Sequence, residues 1–319
     1  MRPVVHKLLL ASPRGYCAGV ERAVETVEQA LDLYGAPVYV RKQIVHNLHV
    51  VRDLEQRGAI FVDEATEVPE GETVVFSAHG VAPAVRAGAE LRQLRTIDAT
   101  CPLVTKVHVQ ARRYAADGYT VILIGHAGHE EVVGTMGEAP DSIVLVESAD
   151  DVARLPFGSD AKLAYVTQTT LSVDETGEVI TALRGRYPNI HAPRKEDICY
   201  ATSNRQWAVK EMLGEIDLLL VIGSHNSSNS NRLVEVARSS GVASYLIDDE
   251  TEIEKSWLDG VEIVGITSGA SAPEKLVQRV CAWFGEVEIV PHRLVSEDVE
   301  FRLPVELRRE LELAAAQAP

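Results

Sequence analysis

No stretch of this chain approaches the roughly 20 consecutive apolar residues a membrane span needs; the longest apolar runs, around Leu8-Leu9-Leu10 and across Leu218–Ile222, are far shorter. The N-terminal residues Met1-Arg2-Pro3-Val4-Val5-His6-Lys7 lack both a long apolar signal core and a Ser/Arg-rich transit stretch, so the expectation is a protein of a prokaryotic cytoplasm. Basic residues are also scarce. Thirty-one Lys and Arg face 47 Asp and Glu, a formal net charge of −16, which speaks against general nucleic-acid binding because that depends on clustered cations. A phosphorylated ligand would have to be held by local donors. Cysteine is limited to four residues among 319, too few and too scattered for a disulfide framework, and better suited to a metal site or catalysis in a reduced state. Low-complexity linkers are missing too, although the length allows two or three small domains with real cores.

Three of the four cysteines recur with a pattern. From Cys17 to His46, Cys101 to His129 and Cys199 to Ser227 the spacings are 29, 28 and 28 positions (46 − 17, 129 − 101, 227 − 199). A second offset joins Cys17 to His79, Cys101 to Thr169 and Cys199 to Ser271 at 62, 68 and 72 positions (79 − 17, 169 − 101, 271 − 199). Such self-similarity points to one structural unit used three times. The boundaries it implies are 1–98, 99–196 and 197–284, with a tail at 285–319 that holds an extended stretch over Val299–Leu303, Pro304 and a charged helix-like segment able to pack back onto an earlier unit.

The local pattern is α/β. Short apolar runs of the buried-strand kind predict strands at Val4–Leu10, Val38–Val40, Val74–Phe76, Val121–Ile124, Ile143–Val146, Leu163–Val166, Leu218–Ile222, Tyr245–Ile247 and Ile263–Ile266. Apolar residues at three- and four-residue intervals predict helices at Gly19–Tyr34, Leu103–Ala116 and Thr202–Leu213, each directly after a cysteine. Alternation of the two favours parallel sheets.

In open α/β sheets, ligands gather beyond the carboxyl ends of the strands. This sequence places polar clusters there: Ser77-Ala78-His79-Gly80, Gly125–Glu131, Thr167-Gln168-Thr169-Thr170, Gly223–Asn231 and Thr267–Ser271. Hydroxyls, amides and imidazoles are the donors an anion needs in an acidic protein. The three cysteines stand at expected helix starts, where the helix dipole and free N–H groups favour a thiolate; Pro102 suits the first turn after Cys101. Three thiolates at domain-scale separations fit an iron–sulfur cluster or zinc, and differ from the close pairs of structural zinc modules. With a cluster, the missing fourth cysteine would leave one iron open to substrate.

Other candidates have plainer readings. Cys281 lies within a helical pattern without a polar loop and is assigned to the core. His49 is given a structural role one helical turn from His46, while His6, His108, His191 and His292 are read as surface or locally bonded residues. The His129-Glu130 pair does not extend to a zincin, since position 133 is Val133. The glycines of 125–137 are a weak phosphate-loop signal because glycine also serves ordinary turns.

Taken together, Pro-Arg-Gly-Tyr-Cys-Ala-Gly at 13–19, Val-His-Asn at 45–47, Ser-Ala-His-Gly at 77–80 and Ala-Thr-Cys-Pro-Leu-Val-Thr-Lys-Val-His at 99–108 closely resemble the 4-hydroxy-3-methylbut-2-enyl diphosphate reductase family. The likeness continues in order through Gly-His-Ala-Gly-His at 125–129, Gly-Thr-Met-Gly at 134–137, Thr-Gln-Thr-Thr-Leu-Ser-Val at 167–173, Asp-Ile-Cys-Tyr-Ala-Thr at 197–202, Asn-Ser-Ser-Asn-Ser-Asn-Arg-Leu at 226–233 and Gly-Ala-Ser-Ala-Pro at 269–273.

The resemblance implies three α/β units in a trefoil around a [4Fe–4S] cluster held by Cys17, Cys101 and Cys199, whose fourth iron takes the substrate's hydroxyl oxygen. It implies the last step of the non-mevalonate isoprenoid pathway, a two-electron reductive removal of that hydroxyl, giving isopentenyl and dimethylallyl diphosphate. Glu131 matches the family's acid, Thr169 a relay or orienting hydroxyl, and His129 a residue serving both acid chemistry and phosphate binding. His46, His79, His129, Ser227, Ser228, Asn229 and Ser271 match diphosphate-binding positions. Reduced flavodoxin or ferredoxin is the implied electron donor, and a monomer the implied state. Glu130 stands where many relatives have proline; it is read as pointing to solvent, with a share in the acid role or an influence on Glu131 as the other options. His225 occupies a position where lysine or histidine could each supply a donor. An iron–sulfur electron carrier and a zinc-dependent hydrolase using Glu131 are the competing classes.

Overall fold

Twelve strands and eleven α-helices lie among residues 5–317, which the computed structural model describes. In chain order they are β1 (Lys7–Ser12), α1 (Ala18–Tyr34), β2 (Val38–Arg41), α2 (Leu48–Gln56), β3 (Ala59–Val62), β4 (Thr73–Phe76), α3 (Pro83–Leu91), β5 (Arg95–Asp98), α4 (Pro102–Ala116), β6 (Thr120–Ile124), α5 (Glu130–Met136), β7 (Ile143–Val146), α6 (Ala149–Arg154), β8 (Leu163–Thr167), α7 (Val173–Arg186), α8 (Tyr200–Met212), β9 (Leu218–Ile222), α9 (Ser228–Ser239), β10 (Ala243–Ile247), β11 (Ile263–Ser268), α10 (Glu274–Trp283), β12 (Glu288–Arg293) and α11 (Val305–Gln317). They build three sheets, ordered β10-β9-β11-β1-β12, β3-β2-β4-β5 and β7-β6-β8. Every strand pairing in them is parallel. Among the described residues no helix is long and apolar enough to cross a membrane.

The chain divides into two units. One comprises 5–20, His46–Val50 and Tyr200–Glu300 and contains the five-stranded sheet. Its central strands read as unbroken apolar runs because both faces are covered. Leu218, Leu220 and Ile222 of β9 pack with Leu8, Ile266, Leu276 and Val280 on one face, while Leu219 and Val221 pack with Leu9, Met212 and Leu233 on the other. Each such side chain contributes roughly 1.5–3 kcal/mol relative to exposure.

The second unit comprises Glu21–Val45, Val51–Cys199 and 301–317 and holds the other two sheets. The same alternation governs β6. Ile122 and Ile124 face a core with Tyr165, Val179 and Leu183, whereas Val121 and Leu123 face Val107, Ala111 and Val132 of α4 and α5. The four-stranded sheet buries Val74 and Phe76 against Val81, Ala89 and Leu94. Helix α11 packs on β5, and Tyr34 donates to the Glu310 carboxylate at 2.8 Å.

All nine expected strands are present, with small shifts at their ends; Val4 of the first, like the last two residues of the tail, lies outside the described residues. Three further strands were not expected. Arg95–Asp98 is too polar to read as an apolar run, and Glu288–Arg293 is an edge strand carrying Pro291, a residue tolerated at a sheet edge because no donor is needed there. Ala59–Val62 is a four-residue run too short to separate from its flanking helix by periodicity. The strand of the tail is 288–293, and 299–303 forms no strand.

The sheets do not follow the boundaries 1–98, 99–196 and 197–284. Strand β1 lies between β11 and β12, with Lys7 in register with Ile263 and Glu288, so the segment leading to Cys17 shares its sheet with the end of the chain. Chain spacing records that cysteines and polar clusters recur at similar offsets. It does not record which strand supplies the two neighbours that a doubly buried strand such as Leu8–Leu9 requires.

Candidate functional site

Cys17, Cys101 and Cys199 each immediately precede a helix, α1, α4 and α8 respectively. Each backbone amide is donated to a carbonyl at the end of a strand or in the turn after one: Cys17 to Ala270 at 3.2 Å, Cys101 to Ala78 at 2.9 Å and Cys199 to Thr169 at 3.0 Å. Each is a partly exposed cysteine outside any disulfide, at a helix start beside a polar strand-end cluster. That donor set fits a thiolate-ligated cluster. Cys281 does not match it: it is 8% exposed inside α10, and burial pushes its thiol pKa up.

The second unit brings Glu131 and Thr169 together. Glu131, in the first turn of α5, is 5% exposed, and its Oε2 accepts from both the Thr169 hydroxyl and the Thr169 N–H, each at 2.9 Å. His129 caps α5, its Nδ1 accepting from the Glu131 amide at 3.2 Å. The His79 ring stands edge-on to the His129 ring with centroids 6.0 Å apart, and His79 Nδ1 lies 3.3 Å from the Ser77 hydroxyl. The acid candidate, its hydroxyl partner and two imidazoles thus sit on two strand ends and one helix start.

Glycine contacts lock this arrangement. Gly80, at φ +83°, follows His79 in a turn that a Cβ would drive into His108 and Val104 of α4. On α5, a Cβ at Gly134 would stand 3.4 Å from the Gly80 carbonyl carbon, and one at Gly137 would stand 2.3 Å from the Ala82 Cβ. The Gly-Thr-Met-Gly motif therefore lets α5 approach the turn carrying His79.

The first unit collects the other donors. Ser227 caps the twelve-residue α9, accepting from Ser230 N at 3.3 Å, so Ser228 and Asn229 lie in the helix's first turn, where free N–H groups and the dipole favour an anion. Asn229 accepts from the Ala270 N–H at 2.9 Å and donates to Thr202 at 3.2 Å. The Ala270 carbonyl in turn holds Cys17. Ser271 donates its hydroxyl to the His46 carbonyl at 2.9 Å, and Asn226 Nδ2 lies 3.3 Å from His46 Nδ1. Gly223 and Gly269 flank Ser230 so closely that a Cβ on either would collide with its hydroxyl.

Charged residues brace the cysteine loops of the second unit. Arg22, buried in α1, donates to the carbonyls of Thr100 at 3.1 Å, Asp98 at 3.4 Å and Arg302 at 2.7 Å, gripping the residue before Cys101. Asp98 accepts from both Thr100 donors and pairs with Arg86. Burial alone would raise its pKa, but Arg86 and Thr100 together hold it below the usual carboxylate range. Asp197, two residues before Cys199, accepts from Thr167 N at 3.2 Å and pairs with Lys106 at 3.0 Å. Its pKa is raised by burial, which Lys106 only partly offsets.

Glu130 does not point to solvent: its side chain is 23% exposed and 3.7 Å from Arg41, which also pairs with Glu64 at 3.0 Å. Of the two options given for His108, surface or bonded, the structure shows the bonded one: it is 3% exposed, with Nδ1 2.9 Å from Glu138. His49 pairs with Asp249 at 3.0 Å, a structural role. Arg22, Ser77 and Asn226 escaped singling out; the last two lie in clusters already marked as polar, whereas nothing local distinguishes Arg22 from any helical arginine.

Comparison with known proteins agrees with this architecture. A relative from Acidothermus cellulolyticus named 4-hydroxy-3-methylbut-2-enyl diphosphate reductase is 60% identical, the match covering 96% of this chain and 91% of that protein. One of the same name from Streptomyces coelicolor is 57% identical over 97% of this chain and 93% of its own length. The structure of the E-1-hydroxy-2-methyl-but-2-enyl-4-diphosphate reductase from Plasmodium falciparum superposes with a TM-score of 0.95 at 38% identity, covering 97% of this chain and 99% of that one. The family model described as LytB protein matches residues 8–284, from β1 through the end of α10 and across all three cysteine loops, and the chain belongs to that family.

Proposed function

We infer that this protein reduces 4-hydroxy-3-methylbut-2-enyl diphosphate to isopentenyl and dimethylallyl diphosphate, taking up two electrons and two protons and releasing water, as the terminal step of the non-mevalonate pathway. The observation that carries the reading is the buried Glu131 carboxyl bonded to Thr169 beside the His79–His129 pair, in a chain 60% identical to a named reductase. Cys17, Cys101 and Cys199 would hold a [4Fe–4S] cluster which, when bound, supplies electrons and one Lewis-acidic iron without a cysteine ligand.

The remaining chemistry falls to side chains. Hydroxide is a poor leaving group, so a proton must reach the oxygen as its bond to carbon breaks, and Glu131 is the acid. Both Thr169 donors converge on Glu131 Oε2, so the transferable proton is held on Oε1. His46, His79, His129, Ser227, Ser228, Asn229 and Ser271 bind the diphosphate through imidazoles, hydroxyls and amides. This donor set distinguishes the protein from a simple electron carrier, which has no diphosphate to bind. Reduced flavodoxin or ferredoxin provides the electrons.

Anaerobic purification followed by visible and Mössbauer spectroscopy, with and without the hydroxymethylbutenyl diphosphate, tests the reading. A response at one iron and reductant-dependent formation of both products is expected. A cluster that substrate leaves unperturbed, or a zinc protein that stays colourless after reconstitution, would overturn it.

A further inference from the structure

His108 lies seven residues after Cys101 on α4, takes no part in the chemistry above, and is among the most enclosed polar side chains of its unit. Its Nδ1 meets the Glu138 carboxylate at 2.9 Å, and Arg112, one turn further along α4, meets the other oxygen of that carboxylate at 2.9 Å. Glu138 lies one residue past the end of α5, after Gly137, and its side chain is 2% exposed, so α4 clamps the end of α5 through a buried carboxylate. Burial alone would raise the Glu138 pKa, but the bond from His108 and the Arg112 charge hold it below the usual range. With Nδ1 fixed on Glu138, the imidazole presents its Cε1–Nε2 edge to two glycines. Cβ atoms added at Gly80 and Gly134 would stand 2.9 and 3.2 Å from His108 Cε1. Nε2, on that edge, is buried without a hydrogen-bond partner.

An imidazole left with a bare buried nitrogen carries a cost that an apolar side chain would not. What the ring occupies is the junction of the two segments that carry the site: Gly80 adjoins His79, and Gly134 lies three residues beyond Glu131 on α5. We propose that His108 is a positioning residue for the reaction, a wedge anchored on Glu138 that sets the spacing between the His79 turn and the helix bearing His129 and Glu131. The inference rests on the roles given above to His79 and Glu131.

Replacement of His108 by Ala removes the wedge without touching a substrate-contacting side chain. Folded protein and cluster absorbance are expected to persist. Affinity for inorganic diphosphate, measured by calorimetry on the cluster-loaded protein, should fall roughly tenfold as His79 shifts. Turnover should fall by up to about 10²-fold as Glu131 shifts, the scale that a misplacement of about 1 Å produces. Added imidazole, which refills the space, should restore both, a rescue that general destabilisation would not show. Wild-type affinity and turnover in His108→Ala, or losses that imidazole leaves unchanged, would overturn the proposal. Should His108→Ala fail to fold, Glu138→Gln keeps the volume and weakens only the anchor; it should move diphosphate affinity and turnover in the same direction to a smaller extent, and unchanged values would sink the idea. Wild-type protein in the same assays separates the two claims: if it neither binds diphosphate nor turns over substrate, the functional reading fails, whereas a working wild type with an indifferent His108 fails the wedge alone.

Discussion

Thr169 gives both of its hydrogen-bond donors to one oxygen, Oε2 of Glu131, at 2.9 Å each, and its carbonyl accepts the amide of Cys199 at 3.0 Å. One residue therefore orients the proposed acid and ties down the loop of a proposed cluster ligand. Changes at Glu131 and at the cysteines should nonetheless separate, because only the backbone of Thr169 holds Cys199.

Glu131→Gln should lower kcat by about 10²–10⁴-fold, the usual worth of a general acid, with the cluster spectrum and diphosphate affinity retained. Thr169→Val, which removes the hydroxyl but keeps the backbone bonds, should lower kcat less. Steady-state kinetics beside a visible spectrum of each variant decides the matter; near-normal turnover in Glu131→Gln removes it from the acid role.

Replacing Cys17, Cys101 or Cys199 singly by Ser should abolish or destabilise the cluster absorbance after anaerobic reconstitution. Cys281→Ser should leave it intact, since that thiol is buried in α10. Equal loss in all four variants contradicts the assignment.

Gly137→Ala should destabilise the fold by about 1–3 kcal/mol, the range for overpacking, because its Cβ would stand 2.3 Å from that of Ala82. Adding Ala82→Gly should recover most of the loss. Denaturant midpoints of the two single variants and the pair measure this coupling, and strict additivity would show that the close approach carries no energy.

Acid should weaken the loop before Cys101. Asp98 has a folded-state pKa below its ordinary value, Arg86 and Thr100 outweighing burial. A depressed carboxylate contributes stability that is fully present above the unfolded pKa of about 3.9 and is lost as pH falls through the lower, folded value. Asp98→Asn should therefore be less stable than wild type at neutral pH, and the gap should narrow below about pH 4. Thermal unfolding across that range reads the difference; a gap independent of pH shows that the charge of Asp98 is not what matters.

Much of the candidate site is local chemistry and is legible in one dimension. Hydroxyl, amide and imidazole clusters after apolar runs, and cysteines directly before helical patterns, are set by neighbours in the chain, since strand ends and helix starts are short-range features. Glu130 shows the limit. Its neighbour Glu131 is buried on Thr169, but the partner of Glu130 itself is Arg41, eighty-nine positions back (130 − 41), and no local pattern names it. His108 and Arg22 were missed as contributors for the same reason.

The sequence by itself determined that a cysteine before a helix and polar clusters at strand ends recur along the chain, because apolar runs, helix starts and polar strand ends leave a period in it. Tertiary structure decided the phase of that period. Chain offsets grouped Cys17 with His79, Cys101 with Thr169 and Cys199 with Ser271, yet the amides of Cys101, Cys199 and Cys17 bond to Ala78, Thr169 and Ala270, so each cysteine sits with the preceding cluster and the first with the last. The physical cause is the pairing of β1: a strand buried on both faces needs neighbours on both edges, and β11 and β12 from the far end of the chain provide them.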